Sequence, residues 1–162
     1  MGVDPLEYRN IIGHFATGVT VITSAADGNL HGMTANAVSS LSLDTVMVLI
    51  CVEKTTFTHR VLDASGVFTV NILGSHQEDV SRVFAKRGEP EPGTLRGQKF
   101  RIGETGSPIL DDCLAFIECR VANRLDGGDH TIFLGEVVSE GVVTEMEPLL
   151  FFRGKYHVLG EA

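Results

Sequence analysis

Apolar residues fall along this chain in short runs, broken by glycine and polar turn residues, and most runs have the length of a strand. Gly18 to Ser24 reads Gly-Val-Thr-Val-Ile-Thr-Ser, a β-branched stretch that predicts a strand. Asp27-Gly28 is a hairpin turn signal, and His31 to Ser40 supplies the returning strand. The continuous apolar run Val46 to Val52 predicts a buried strand, and Val67 to Leu73 predicts another. Leu114 to Leu125 and His130 to Val143 form two long strands around Asp126-Gly127-Gly128-Asp129, and Leu149 to Leu159 closes the pattern. Helical spacing appears in only three places. Asp4 to Phe15 starts with a capping Asp and a Pro. Thr55 to Ser65 carries Phe57, Val61, Leu62 and Ala64 and is stopped by Gly66, and Gln77 to Arg87 carries Val80, Val83 and Phe84. Glu89 to Gly97 is rich in Pro, Gly and charge and is expected to be an exposed, mobile loop.

About seven strands joined mostly by hairpins, with a few short peripheral helices, predict a mainly β chain, a closed or split antiparallel barrel. At 162 residues the chain fits one domain, 1–162, with a core that needs no staples. Strands and helices do not alternate regularly, and neither the Rossmann glycine fingerprint nor a P-loop occurs, so a doubly wound parallel sheet is disfavoured.

Charge and composition narrow the partners. A net charge of −8 leaves no basic field for nucleic acid or an anionic membrane. No apolar run approaches the ~18 residues that a membrane span needs. Cys51, Cys113 and Cys119 make no C-x-x-C pair, and their odd number points to a reducing, cytoplasmic setting. The six histidines have no zinc spacing, so no metal is expected.

The densest polar cluster is His31-Gly32-Met33-Thr34-Ala35-Asn36-Ala37-Val38-Ser39-Ser40. Its small residues would let a flat ligand approach the backbone, and its hydroxyl, amide and main-chain groups would match the edge of a heteroaromatic ring. An edge strand with a solvated polar face has the same pattern. Glu53-Lys54-Thr55-Thr56 follows a buried strand and starts a helix whose free amides, with Lys54, suit a phosphate; a plain capped helix reads the same way. Asp129-His130-Thr131 follows a Gly-Gly turn, and Phe151-Phe152-Arg153-Gly154-Lys155-Tyr156-His157 mixes aromatics with cations near the end.

In combination these segments resemble the short-chain flavin reductase family, the reductase components of two-component flavin-dependent monooxygenases such as phenol or 4-hydroxyphenylacetate hydroxylase. The likeness rests on Phe15-Ala16-Thr17-Gly18-Val19-Thr20-Val21-Ile22-Thr23, His31 to Ala37, Val70-Asn71-Ile72-Leu73, Phe84-Ala85, Gly128-Asp129-His130-Thr131, Phe133-Leu134-Gly135-Glu136-Val137 and Leu149 to Tyr156, all in the family's order. The resemblance implies an FMN-binding split barrel, a homodimer, and an NAD(P)H:flavin oxidoreductase that supplies reduced FMN or FAD to a partner oxygenase, with NADH or NADPH as co-substrate. It maps the flavin ring onto Thr34, Ala35 and Asn36, with Ser39 and Ser40 beside them. The ribityl and phosphate part maps onto Cys51, Val52, Lys54, Thr55 and Thr56, and the far wall onto Phe84 and Ala85. His130 corresponds to the family histidine near the nicotinamide and Tyr156 to the aromatic of the closing motif. Many relatives continue Phe-Ala with Gly, where this chain has Lys86-Arg87, two cations expected to contact the flavin's phosphates or an adenine-bearing tail. Three other readings stay open at this point: a flavin-binding electron-transfer protein or oxidase on the same barrel, a non-catalytic β-barrel dimer, and the same fold passing electrons to a corrinoid or ferric chelate.

Overall fold

The computed structural model describes residues 2–89 and 91–160. Helix α1 (Pro5–Ile12) leads into strands β1 (Thr17–Gly18), β2 (Thr20–Ala26), β3 (Asn29–Ala35), β4 (Val38–Leu43) and β5 (Val46–Glu53). Helix α2 (Phe57–Ser65), strand β6 (Val67–Ile72) and helix α3 (Glu78–Phe84) follow. Strands β7 (Phe100–Ile102), β8 (Pro108–Leu110), β9 (Ala115–Gly127), β10 (His130–Val142), β11 (Leu150–Phe152) and β12 (Lys155–His157) complete the chain. The fold is mainly β, and every ladder is antiparallel.

The main sheet has seven strands in the order β3-β2-β6-β9-β10-β5-β4. The expected returning strand, His31 to Ser40, is therefore two strands. It breaks at Asn36-Ala37, and its halves stand at opposite edges of the sheet. A flat sheet of this order would separate those edges by six strand spacings, about 29 Å. Three Cα steps from Ala35 to Val38 reach at most about 11 Å. The sheet therefore rolls on itself, although among the described residues no ladder joins β3 to β4.

Strand β2 is buried on both faces, one by the rolled sheet itself and the other by the segments packed outside it. Val21 belongs to a cluster with Leu73, Ile109, Phe116 and Leu149, while the next residue, Ile22, packs with Ile50, Leu62, Phe68 and Phe133. Strand β5 shows the simpler alternation, with Val48, Ile50 and Val52 inward. Buried Asn71 ties the layers together. Its amide donates to Val21 O and Thr23 Oγ1, both at 3.0 Å, and its carbonyl accepts from Leu110 N at 2.8 Å. That staple fixes the short β7–β8 ladder, which hydrophobic patterning alone does not reveal.

The three helices follow their caps. Asp4 accepts from Leu6 N at 2.9 Å at the start of α1, and Thr56 accepts from His59 N at 3.2 Å at the start of α2. Gly66, at φ +67°, ends α2 in the left-handed conformation. The loop expected over Glu89 to Gly97 is exposed at Glu91, Pro92 and Gly93, but Leu95 is core. An apolar anchor thus pins the segment, and Pro90 lies outside the described residues.

Gly135 sits at a β-bulge of the β9–β10 ladder, where an added Cβ would lie 2.5 Å from Phe68 Cζ and 2.8 Å from Cys119 Cβ. Gly135→Ala should destabilise the fold by about 1–3 kcal/mol. Thermal melting should record a fall of roughly 2–4 °C for each kcal/mol; an unchanged midpoint would mean that the Phe68 ring has room to move.

Candidate functional site

A cavity of about 490 Å³ opens between β3, the start of α2, the end of α3 and the tip of β12. Strand β3 supplies every residue from His31 to Ala35, followed by Asn36. Side chains alternate between faces along a strand, so five consecutive lining residues mean that the cavity borders the edge of β3. Among the described residues that edge carries no partner strand, so its N–H and C=O groups are available to a ligand. Opposite it stand Thr55, Thr56 and Phe57 at the start of α2, where the first-turn amides lack helical partners. Phe84, Phe151 and Tyr156 provide aromatic wall.

Local packing explains how these groups are held. A Cβ on Gly32 would fall 2.9 Å from Phe84 Cε1, so glycine is what lets the Phe84 ring lie against β3. Thr34 donates to Ser81 O at 2.5 Å, and Ser81 Oγ meets Tyr156 Oη at 2.7 Å. The Arg82 guanidinium covers the Tyr156 ring at 4.9 Å. These contacts stitch β3, α3 and β12 into one wall.

Buried His31 closes the inner end. Its Nε2 lies 3.2 Å from Gly88 O, a group that only accepts, so Nε2 carries the proton and Nδ1 accepts the Thr58 hydroxyl at 2.5 Å. Burial pushes the His31 pKa down, and the nearby Arg96 charge acts in the same direction. The imidazole is therefore neutral, and its ring packs 4.9 Å from that of Phe57.

Of the residues singled out in the sequence, Thr34, Ala35, Asn36, Thr55, Thr56, Phe84, Ala85 and Tyr156 line this one cavity. Six stand outside it. Ser39 and Ser40 are exposed on β4, and Ser40 lines a second, apolar groove of about 520 Å³ with Phe15, Val38, Leu43 and Val46. Val52 is fully buried in the core and lines neither cavity. Cys51 is half-buried on the opposite face of β5, and its N–H donates to Ala37 O at 3.1 Å. Lys54 turns away to the β9–β10 turn, where its ammonium bonds the Asp126 carboxylate and donates to Gly128 O at 2.6 Å. His130 pairs with Glu53 across the β5–β10 ladder, and its Nδ1 lies 2.7 Å from Asp129 Oδ1.

Patterning missed Glu53, Phe57, Thr58, Arg60 and Ser81 as lining residues. Only Ser81 carried a usable signal, since it stands three positions before Phe84 on the same face of α3.

The sequence profile described as the flavin reductase like domain matches residues 12–160. The chain belongs to this family. It is 41% identical over 156 residues to the reductase subunit HsaB of a flavin-dependent monooxygenase from Mycobacterium tuberculosis, covering 95% of this chain and 82% of that protein. It is 31% identical over 154 residues to the FMN reductase (NADH) RutF of Agrobacterium fabrum, covering 95% and 88%. The structure of the Streptomyces globisporus NADH:FAD oxidoreductase in complex with NAD and FAD fragments superposes with a TM-score of 0.88 at 36% identity, covering 99% of this chain and 97% of that one.

The donor set of this family member fits a flavin. The open edge of β3 matches alternating donors and acceptors on a ring edge, the aromatic wall suits a flat ring system, and the α2 amides suit a phosphate. No group of His, Cys, Asp and Glu among the described residues is arranged to hold a metal ion.

The thiols take no part in this cavity. Burial pushes the Cys113 thiol up to about 11 and the Cys119 thiol up to about 12, where the Glu118 carboxylate adds to the effect. Burial also raises Cys51. All three are therefore protonated near neutrality. Titration with a thiol reagent at pH 8 should find Cys113 and Cys119 silent in the native protein and Cys51 slow, with three equivalents appearing on denaturation. Rapid native labelling of two or more thiols would contradict this burial.

Proposed function

We propose that this chain is an NAD(P)H:flavin oxidoreductase that binds FMN or FAD along the open edge of β3 and supplies reduced flavin to a partner oxygenase. The observation that carries the reading is the set of five consecutive β3 residues bordering one cavity opposite the cap of α2. A bound flavin supplies the chemistry by accepting two electrons and a proton, as hydride, from reduced nicotinamide. The protein supplies geometry. Thr34, Ala35 and Asn36 hold the ring edge, and Thr55 and Thr56 hold the phosphate end. Phe84, Ala85 and Tyr156 close the far wall and keep water from the ring face. Cys51 and Val52 lie outside the cavity, and Ser39 and Ser40 lie toward the neighbouring groove. His130, on the rim beside Glu53, orients the nicotinamide; hydride transfer asks no proton of it.

Under anaerobic conditions, protein loaded with FMN or FAD should bleach near the flavin absorption maximum on addition of NADH or NADPH. A flavin-binding electron-transfer protein or oxidase of the same fold would stay coloured. His130→Ala should raise the nicotinamide KM by about tenfold with a smaller effect on kcat. If both constants are unchanged, the assigned role of His130 is wrong.

The same reading makes the molecule a homodimer on a split barrel. Phe15 is 73% exposed, Leu43 84% and Val46 47%, all beside the apolar groove, a concentration unusual for a free surface. Asn36 and Val19 line both the groove and the cavity, so a second copy seated there adjoins the flavin. Three free thiols suit the reducing cytoplasm. Sedimentation should give a dimer for the native chain and monomer for Leu43→Asp; a monomeric native chain would remove this part of the reading.

A further inference from the structure

The mouth of the cavity carries five charged side chains. Glu53 and Arg60 come from the β5–α2 side, and Lys86, Arg87 and Glu89 from the stretch after α3. Arg87 donates to both carboxylate oxygens of Glu53, at 2.8 and 2.9 Å, so one ion pair spans the mouth. The Thr55 hydroxyl also donates to Glu53 Oε1, at 2.6 Å. Arg60 reaches Glu89 only at 3.9 Å. Lys86 has no ion-pair partner among the described residues. Two features stand out. One guanidinium nitrogen, Nη2, makes both contacts, which leaves the other donors of Arg87 without a partner among the described residues and able to take a second acceptor. Moreover, the pair closes over the start of α2, where Thr55 and Thr56 line the cavity.

We propose that Arg87, assisted by Lys86, reads a phosphate ester of the ligand, and that the Glu53 carboxylate occupies Arg87 as an internal stand-in until that phosphate arrives. This inference rests on the reading of the cavity as the flavin site and adds how the site selects among flavins. The Arg87 side chain is 72% exposed and that of Glu53 33%. An ion pair so solvated is held weakly, with a typical worth of about 0–1 kcal/mol. The phosphate monoester of FMN brings three acceptor oxygens and more charge to the same guanidinium, and a dinucleotide pyrophosphate brings two adjacent charged groups, so exchange favours the ligand. Riboflavin has no phosphate and leaves the pair intact. Glu53 therefore lowers affinity for phosphorylated flavins without touching riboflavin, and Arg87 does the reverse. The phosphate belongs either to the flavin or to the nicotinamide dinucleotide.

Flavin fluorescence quenching measures the ratio of Kd for riboflavin to Kd for FMN without turnover. Arg87→Gln should reduce that ratio about tenfold and Lys86→Gln about threefold, with riboflavin affinity nearly unchanged. Glu53→Gln should increase it about threefold. If Arg87 instead serves the nicotinamide phosphate, Arg87→Gln leaves the flavin ratio alone and raises KM for NADH but not for reduced nicotinamide riboside, which also supports phosphate reading. Equal weakening of riboflavin and FMN, or no change in either assay, overturns it. Failure of the native chain to bind any of riboflavin, FMN and FAD overturns the cavity assignment itself, a separate and recognisable result.

Discussion

Two residues, Asn36 and Ala37, constrain the whole architecture. They join strands that occupy opposite edges of a seven-strand sheet, and a link so short forces the sheet to roll until its edges approach. Rolling encloses the second cluster around Phe68 and Phe133 and so buries one face of β2, while Leu73, Ile109 and Leu149 cover the other. It also leaves the free edge of β3 facing a cavity rather than another strand. Had the run from His31 to Ser40 continued as one strand, that edge would have paired or lain in solvent, and this wall of the cavity would not exist.

Much of this was legible in the chain itself. Strand-length apolar runs located β2, β5, β6, β9 and β10 because each sends apolar residues into the core, and capping chemistry at Thr56 and Gly66 bounded α2 closely. The break at Asn36-Ala37 was not legible. Small and polar residues there suit an extended chain as well as a crossover, and nothing local reports which ladder a strand joins. The short β7–β8 ladder was hidden for a related reason, since it depends on Asn71, a long-range polar contact.

The candidate site divides along the same line. Thr34, Ala35, Asn36, Thr55, Thr56, Phe84, Ala85 and Tyr156 were found through the family's motif order and share one cavity. Lys54 looked cationic and well placed, but Asp126 and Gly128, 72 and 74 positions away, claim its ammonium. Charge read from sequence is therefore a poor guide to charge presented at a site, because a partner distant in the chain can cancel it. Arg87 and Glu53 show the converse, a pair formed across 34 positions that only the folded mouth brings together.

The rolled sheet also bears on how the chain reaches its native state. The β2–β3, β4–β5 and β9–β10 ladders are hairpins that form from neighbouring residues. The β2–β6, β6–β9 and β5–β10 ladders each join segments far apart in the chain, and all three are needed before the two edges meet. High contact order of this kind sets folding on the order of milliseconds to seconds, with loop closure rather than local propensity as the slow element. The link that shapes the finished cavity acts together with those distant pairings, because the edges it joins come near each other only when all three ladders are in place.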